Sequence, residues 1–330
     1  MPTIDMWNHY ERDGFLHLGQ LLPPEEVEAL KQRADDLAQG RVSNDKIAFQ
    51  LDTGGAYEEL PGIVDHFERP TLLYRKIQGL EHDDLFVKLV LHPVCLEICA
   101  HEYGAHAPLA LFRAMIMNKP AGQGTYLPWH QDGGDVWKLD RDPLVTIWVA
   151  LDPATRENGC MEVIPESHRL GLLTKEGSNL RPEDVERHCS PERIHSLEVP
   201  AGHGVLLHNW LIHRSGVNPS SVPRRAMTAC YLDGRTVNQL TGTHFPTVHG
   251  DPPDVPHYRQ QLDLEHGELR KSLATAADYA RSLEAELERV RGEYARLEES
   301  ARASYAALEA SARAHIANLE RELASVAAMS

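Results

Sequence analysis

A histidine and an aspartate stand two positions apart in the segment WHQD, residues 129–132. Side chains at i and i+2 of an extended chain project to the same side, so His130 and Asp132 can reach one ion. His213 ends an apolar run that is typical of a strand, and it is the candidate for a second imidazole. Two imidazoles and one carboxylate on one face form the facial triad of non-haem Fe(II) oxygenases. Alone, the His-x-Asp pair is a weak signal in a chain with 19 histidines.

The context downstream of His213 strengthens this interpretation. Arg224 lies eleven residues further along and begins the segment RRAMTACY, which is typical of the next strand. Two antiparallel strands joined by the intervening loop could place His213 and Arg224 in one cavity. A planar guanidinium there suits the distal carboxylate of a dicarboxylic co-substrate, through two parallel hydrogen bonds.

Further motifs accompany these residues along the chain. In order they are residues 115–120 (MIMNKP), 129–132 (WHQD), 148–152 (WVALD), 157–168 (ENGCMEVIPESH) and 213–218 (HRSGVN), followed by Arg224. In this combination the chain resembles the phytanoyl-CoA dioxygenase family of Fe(II)- and 2-oxoglutarate-dependent oxygenases. The resemblance covers most of residues 8–235. It implies a double-stranded β-helix, a cupin-like jelly-roll, flanked by N-terminal helices.

The resemblance also implies roles for individual residues. It makes His130, Asp132 and His213 the iron ligands, and it matches Arg224 to the arginine that binds the C5 carboxylate of 2-oxoglutarate. Four further residues match positions that line the co-substrate pocket: Lys76, Met115, Gln131 and Trp148. The Gly133-Gly134 pair opens a loop beside the metal, and we expect Trp137 or Lys138 to face the substrate.

The reaction implied by the resemblance uses Fe(II), 2-oxoglutarate and O2, releases succinate and CO2, and oxidises a C–H bond. Hydroxylation is the default outcome, while desaturation and oxidative ring closure use the same oxidant. Halogenation is disfavoured, because related halogenases lack a carboxylate at the position of Asp132. Two alternatives stay open: a metal-binding cupin-like protein that does not use 2-oxoglutarate, and a coiled-coil scaffold with an inactive barrel.

Charge and composition restrict the partners. The chain has 330 residues, and its 33 Lys plus Arg against 49 Asp plus Glu give a net charge of −16. This balance argues against nucleic acid and anionic membranes, which attract clustered Lys and Arg. We expect a small-molecule substrate, and the same net charge favours a small metabolite over a highly anionic acyl-CoA. The sequence shows no secretory signal and no apolar run long enough for a membrane span. Five scattered cysteines indicate a reducing cytoplasm.

Periodicity indicates the elements that must position these residues. Apolar residues at helical spacing predict a helix over residues 25–39 and another over residues 85–103, interrupted at His92-Pro93. Short β-prone runs follow, at residues 109–117, 144–151, 159–164, 205–207 and 226–232. Helices followed by short strands indicate a mainly β domain with flanking helices over residues 1–255.

The last part of the chain has a different pattern. Residues 258–328 lack proline, and their apolar residues recur at alternating steps of three and four, as in Leu283, Leu287, Val290, Tyr294 and Leu297. This heptad pattern predicts a long helix of the coiled-coil type. A helix with so narrow an apolar seam needs a partner, so we expect a homo-oligomer formed through this segment. A frayed tail, or packing on its own globular domain, would be the alternatives.

Overall fold

The computed structural model describes residues 2–176, 179–251 and 255–327, with side chains described up to residue 251 and over residues 271–321. It divides into two compact units, Met1–Pro253 and Asp254–Ser330. Its helices are α1 (Ile4–Asp13), α2 (Pro24–Ala38), α3 (Asp84–Val90), α4 (Pro93–Tyr103), α5 (Pro182–His188) and α6 (Val255–Ala327). Among the described residues, none of the helices has the length and apolarity that crossing a membrane requires.

Strands are more abundant than α-helices in the first unit. Its strands are β1 (Phe15–Gln20), β2 (Ala48–Leu51), β3 (Tyr74–Gln78), β4 (Leu109–Lys119), β5 (Leu127–His130), β6 (Val145–Ala150), β7 (Met161–Val163), β8 (His195–Leu197), β9 (His203–His208), β10 (His213–Ser215), β11 (Arg224–Asp233), β12 (Val237–Asn238), β13 (Thr243–His244) and β14 (Thr247–His249). The predicted mainly β class with flanking helices is therefore confirmed, and each of the five predicted β-runs overlaps a strand.

Two antiparallel sheets contain the strands that matter for the site. The larger sheet has the order β1-β9-β6-β11-β4-β3-β2, with β14 also paired to β4. The smaller sheet has the order β5-β10-β7-β8. Every strand of the smaller sheet comes from the middle of the chain, between β4 and β11, so the chain passes back and forth between the sheets.

The helices form where the sequence predicts them. Helix α2 starts at Pro24, where the missing proline N–H is not needed, and it buries Val27, Leu30, Ala34 and Leu37 at helical spacing. The predicted second helix consists of two, α3 and α4, because Pro93 cannot continue α3 and begins α4 instead. Helix α4 buries Cys95 and Cys99, and all five cysteines are free thiols. Buried residues of α1 to α4 share one core cluster with residues of the larger sheet, such as Ile116 and Ile147.

The second unit is helix α6. Its described side chains are exposed over residues 271–321, and they include the apolar seam residues Leu283, Leu287, Val290 and Leu297. Ion pairs run along the same helix at spacings of three and four, such as Arg289 with Glu286 at 2.6 Å. Such exposed pairs stabilise a helix by only a few tenths of a kcal/mol each.

Candidate metal centre

Three predicted ligands meet in the smaller sheet. Strands β5 and β10 are antiparallel neighbours, and their register pairs His130 directly with His213, so that the two ring centroids lie 4.0 Å apart. Asp132 follows β5 by two residues and projects to the same side as His130. The nearest ligand atoms of the three side chains all lie within 4.8 Å of one another, the one such group among the residues that the structure describes.

Backbone carbonyls orient both imidazoles in the same way. The Nδ1 atom of His130 lies 2.9 Å from the carbonyl oxygen of Pro128, and the Nδ1 atom of His213 lies 2.9 Å from that of Leu211. A carbonyl oxygen only accepts, so each Nδ1 carries the proton and each Nε2 keeps its lone pair. Fixing the outer nitrogen in this way is how proteins orient metal-binding histidines. The donor set fits Fe(II).

The protonation states also suit a metal. Burial, together with the neighbouring His213, lowers the pKa of His130 to about 3, so its imidazole is neutral at pH 7. Burial alone would raise the pKa of Asp132, but the charges of His213 and Arg113 outweigh it and the pKa is lowered. The nearest ion-pair partner of Asp132 is Arg113, with Nη2 3.7 Å from Oδ1. Neutral imidazole and ionised carboxylate are the forms that bind metals.

Arg224 is a buried cation without an anionic partner. Its side chain is in β11, only 4 % of the residue is exposed, and its Nη2 donates to the carbonyl oxygen of Gly159 at 3.0 Å. The buried Nε has no hydrogen-bond partner, and the described residues place no carboxylate within 4.0 Å. Burial lowers the pKa of Arg224 to about 10, so it stays charged at pH 7. Because an unpaired buried charge is costly, this guanidinium fits an anionic ligand such as 2-oxoglutarate.

One cavity of about 170 Å³ between the two sheets joins these groups. The predicted residues that line it are Lys76, Met115, His130, Asp132, Trp148, His213 and Arg224. The Trp148 ring lies on β6 beside Arg224, whose guanidinium carbon is 5.8 Å from the ring centroid. Burial, followed by the charges of Arg75 and Arg113, lowers the pKa of Lys76 to about 7. The cavity thus contains more positive charge than its own carboxylate can balance.

Gln131 does not line this cavity, contrary to the sequence prediction. It lies between His130 and Asp132, so its side chain projects to the opposite side. Its Nε2 donates to the carbonyl oxygens of Gly171 at 2.9 Å and Trp210 at 2.6 Å, and its Oε1 accepts from the backbone N–H of Leu173 at 2.8 Å. Gln131 is fully buried and joins two neighbouring loops to the ligand-bearing strand.

The loop after Asp132 contributes Trp137 to the cavity but not Lys138. The Trp137 ring stacks on Phe112 at a centroid distance of 4.5 Å and an interplanar angle of 17°. The Arg113 guanidinium lies 4.7 Å from the centroid of the same ring. Sequence reasoning did not select Arg113, although it stands two residues before Met115 on a strand, where side chains alternate. Ser215, two residues after His213, also lines the cavity and could have been found by the same spacing.

Comparisons with known proteins identify the family of the chain. The pattern of the phytanoyl-CoA dioxygenase (PhyH) family matches residues 10–226. A probable phytanoyl-CoA dioxygenase of Caenorhabditis elegans is 27% identical over 236 residues, which are 68% of this chain and 73% of that protein. L-proline trans-4-hydroxylase of Streptomyces griseoviridis is 27% identical over 266 residues, 73% of this chain and 88% of that protein.

Solved structures show the same fold. EctD from S. alaskensis, crystallised with 2-oxoglutarate and 5-hydroxyectoine, superposes with a TM-score of 0.55 at 19% identity, covering 76% of this chain and 85% of that one. The family match includes the three candidate ligands and Arg224. The chain therefore belongs to the phytanoyl-CoA dioxygenase family of Fe(II)- and 2-oxoglutarate-dependent oxygenases.

Proposed function

We propose that this enzyme oxidises a C–H bond of a small metabolite in a reaction that consumes 2-oxoglutarate and O2 and releases succinate and CO2. The observation that carries the proposal is the presence of two complementary groups in one cavity. His130, Asp132 and His213 offer three ligand atoms for Fe(II), and Arg224 offers an unpaired buried cation for a carboxylate.

The residues that line the cavity have different roles in this reaction. The triad would hold the iron as its three protein ligands, as in the open sites of non-haem Fe(II) oxygenases. Arg224 binds the C5 carboxylate of 2-oxoglutarate, while Lys76, Met115 and Trp148 form the walls of the same pocket. Bound iron supplies the oxidising chemistry, and the protein supplies orientation and a cavity with restricted water access.

Hydroxylation is the outcome that we propose first. One relative is named as an L-proline trans-4-hydroxylase, so this family architecture accommodates hydroxylation of a small molecule. Oxidative cyclisation is the second candidate, since the same oxidant abstracts hydrogen in both cases. The carboxylate of Asp132 opposes halogenation, because related halogenases lack a carboxylate at this position.

We also propose that the two units are separate domains. Residues 1–255 form a double-stranded β-helix with N-terminal helices, which the two antiparallel sheets and the passage of the chain between them support. Residues 258–328 form a helical segment that joins two or more copies of the chain through the exposed seam at Leu283, Leu287, Val290 and Leu297. We propose the cytoplasm as the compartment, in keeping with five free thiols.

Turnover of 2-oxoglutarate tests the enzymatic function. Purified protein is supplied with Fe(II), 2-oxoglutarate and air, and succinate and oxygen uptake are measured against the Asp132→Ala variant. We expect slow, iron-dependent succinate formation that Asp132→Ala abolishes. Iron binding without any binding of 2-oxoglutarate would instead indicate a cupin-like metal protein. If the protein bound neither, the scaffold interpretation would replace the proposal.

A further inference from the structure

The cavity has the opposite charge balance from the chain as a whole. Five cationic side chains line it, Arg75, Lys76, Arg113, Arg214 and Arg224, against the single carboxylate of Asp132. The whole chain carries −16. One of the cations, Arg214, is neutralised outside the metal site by Glu162, whose Oε2 lies 2.6 Å from its Nε. The local charge, which acts on a bound molecule at close range, therefore opposes the preference drawn from the net charge.

Iron and 2-oxoglutarate do not remove this imbalance. In the proposed function, Fe(II), Asp132 and the 2-oxoglutarate dianion together carry one negative charge, which Arg224 balances. Arg75 and Arg113 remain. Arg75 donates to the neutral Gln50 at 2.9 Å and makes no ion pair within 4.0 Å among the described residues. The described lining residues offer no further carboxylate to balance these two guanidinium groups, so the cavity favours one more anion.

Arg113 has the position that a substrate anion would need. It shares one face of β4 with Met115 and contacts Asp132, so it lies beside the metal ligands. Its side chain is 25% exposed and therefore accessible to a ligand. Its only ion-pair partner in the described chain is Asp132, at the loose distance of 3.7 Å.

2-Oxoglutarate bound between the iron and Arg224 has both of its carboxylates engaged. In the β4–β11 register, Arg224 pairs with Lys119, six residues from Arg113 along β4. Six residues of strand correspond to about 20 Å. A five-carbon chain, with four C–C bonds of about 1.5 Å, spans at most about 6 Å. When one end is bound at the iron and the other at Arg224, no carboxylate remains for Arg113.

We propose that Arg113 binds a carboxylate of the substrate beside the iron, and that the Trp137 ring packs against the apolar part of the same molecule. The guanidinium offers two parallel donors to a carboxylate, and its position 4.7 Å from the Trp137 centroid and 5.1 Å from that of Phe112 fixes its plane. Lys76, on the neighbouring strand β3, lines the same cavity. The substrate class is thus a small carboxylic acid. This inference rests on the proposed function.

Calorimetry with benzoate and benzamide tests the inference. The pair has one ring that suits Trp137 and differs only in the charged group. Each is titrated under anaerobic conditions into protein loaded with Fe(II) and 2-oxoglutarate, after iron content and 2-oxoglutarate binding have been measured. We expect benzoate to bind at least about tenfold more tightly than benzamide, which corresponds to about 1.4 kcal/mol. Failure to bind iron or 2-oxoglutarate would contradict the proposed function, not the anion site.

Variants of Arg113 locate the site of binding. Arg113→Met should remove the preference for benzoate while iron content and 2-oxoglutarate binding persist. Arg113→Lys should restore part of the preference, because it keeps the charge but loses the planar pair of donors. Arg41→Met serves as the control, since Arg41 is an exposed arginine paired with Asp36. Equal binding of the two probes, no saturable benzoate binding up to tens of millimolar, or an unchanged preference in Arg113→Met would each overturn the proposal.

Discussion

Arg224 and Arg225 are neighbours in β11, yet only one of them has a carboxylate partner. Arg225 makes a two-pronged contact with Asp152, from Nε at 2.8 Å and from Nη2 at 3.1 Å, and its Nη1 donates to Asp35 at 2.9 Å. Arg224 projects to the other face of the sheet, where it lines the cavity and its Nε has no partner. Strand alternation thus separates a structural arginine from one that is available to a ligand.

Replacing Arg224 should weaken 2-oxoglutarate binding and leave iron binding intact. In Arg224→Gln the co-substrate carboxylate loses its charged partner, at an expected loss of about 2–5 kcal/mol, or about 30-fold or more in affinity. Calorimetry under anaerobic conditions measures this directly. Arg225→Gln is the matched control: it should lower the free energy of unfolding by about 3 kcal/mol without this loss of affinity, because Asp152 loses its two-pronged partner and is left with Lys31 at 3.4 Å. Unchanged 2-oxoglutarate affinity in Arg224→Gln would indicate that Lys76, and not Arg224, binds the carboxylate.

Each triad variant, His130→Ala, Asp132→Ala and His213→Ala, should abolish iron retention and turnover. Three protein ligands are already the fewest that form the open facial site. Iron content after gel filtration, measured by atomic absorption, checks this, with His203→Ala as a control histidine on β9 outside the cavity. A variant that kept wild-type iron content would show that its residue is not a ligand.

Gln131 should matter for stability and not for co-substrate affinity. Gln131→Leu leaves two carbonyl oxygens and one N–H without their partner, and each lost buried hydrogen bond costs about 1–3 kcal/mol. We expect the free energy of unfolding in urea to fall by about 3 kcal/mol, while the affinity for 2-oxoglutarate in the folded protein stays near wild type. A large loss of 2-oxoglutarate affinity in a stable Gln131→Leu protein would indicate that Gln131 lines the co-substrate pocket.

The pH dependence of stability should depend on His208. Burial, followed by the nearby His168, lowers the pKa of His208 from 6.5 to about 4, and its Nδ1 accepts from the backbone N–H of Trp210 at 3.0 Å. Neutral His208 stabilises the folded state relative to the unfolded state, which binds the proton more readily. This stabilisation is complete above about pH 6.5 and is lost as the pH falls toward 4. Between pH 7 and pH 5 the loss is about 2 kcal/mol.

Urea unfolding of the wild type and of His208→Asn at pH 7 and pH 5 measures this contribution. The asparagine Oδ1 can accept from Trp210 but does not titrate. Between pH 7 and pH 5 the variant should therefore lose about 2 kcal/mol less of its free energy of unfolding than the wild type. Identical pH dependence in both proteins would mean that His208 titrates normally in the folded state.

The long helix should control the oligomeric state. Charges introduced at the exposed seam, in the double variant Leu287→Asp and Val290→Asp, should dissociate the oligomer in sedimentation velocity, since buried like charges oppose a coiled coil. The control Ala285→Asp places the same charge off the seam. Truncation after Pro256 should likewise lower the number of chains per particle, obtained from the molar mass in sedimentation equilibrium, while iron binding persists. An oligomer unaffected by the double variant would exclude self-association through this seam.

Local patterns in the sequence determined much of this protein. The His-x-Asp spacing, the run that ends at His213 and the position of Arg224 identified the candidate ligands and the likeness to the family, because each depends on neighbours along one strand. Helical and strand periodicity likewise predicted α2 and the β-runs, since burial on one face imposes it. Strand alternation alone predicts that the Gln131 side chain points away from the side of His130 and Asp132. The resemblance to the family implied instead that Gln131 lines the pocket.

The tertiary structure decided what depends on pairs far apart in the chain. The register that sets His130 opposite His213 arises from sheet pairing across 83 residues, and no local pattern specifies it. The same holds for Arg113, whose neighbours Asp132 and Trp137 come from another segment, and for the choice of partner between Arg224 and Arg225. The net charge of the chain does not predict the charge of the cavity, because electrostatic energy depends on which charges lie within a few ångströms of one another and not on their total over the chain.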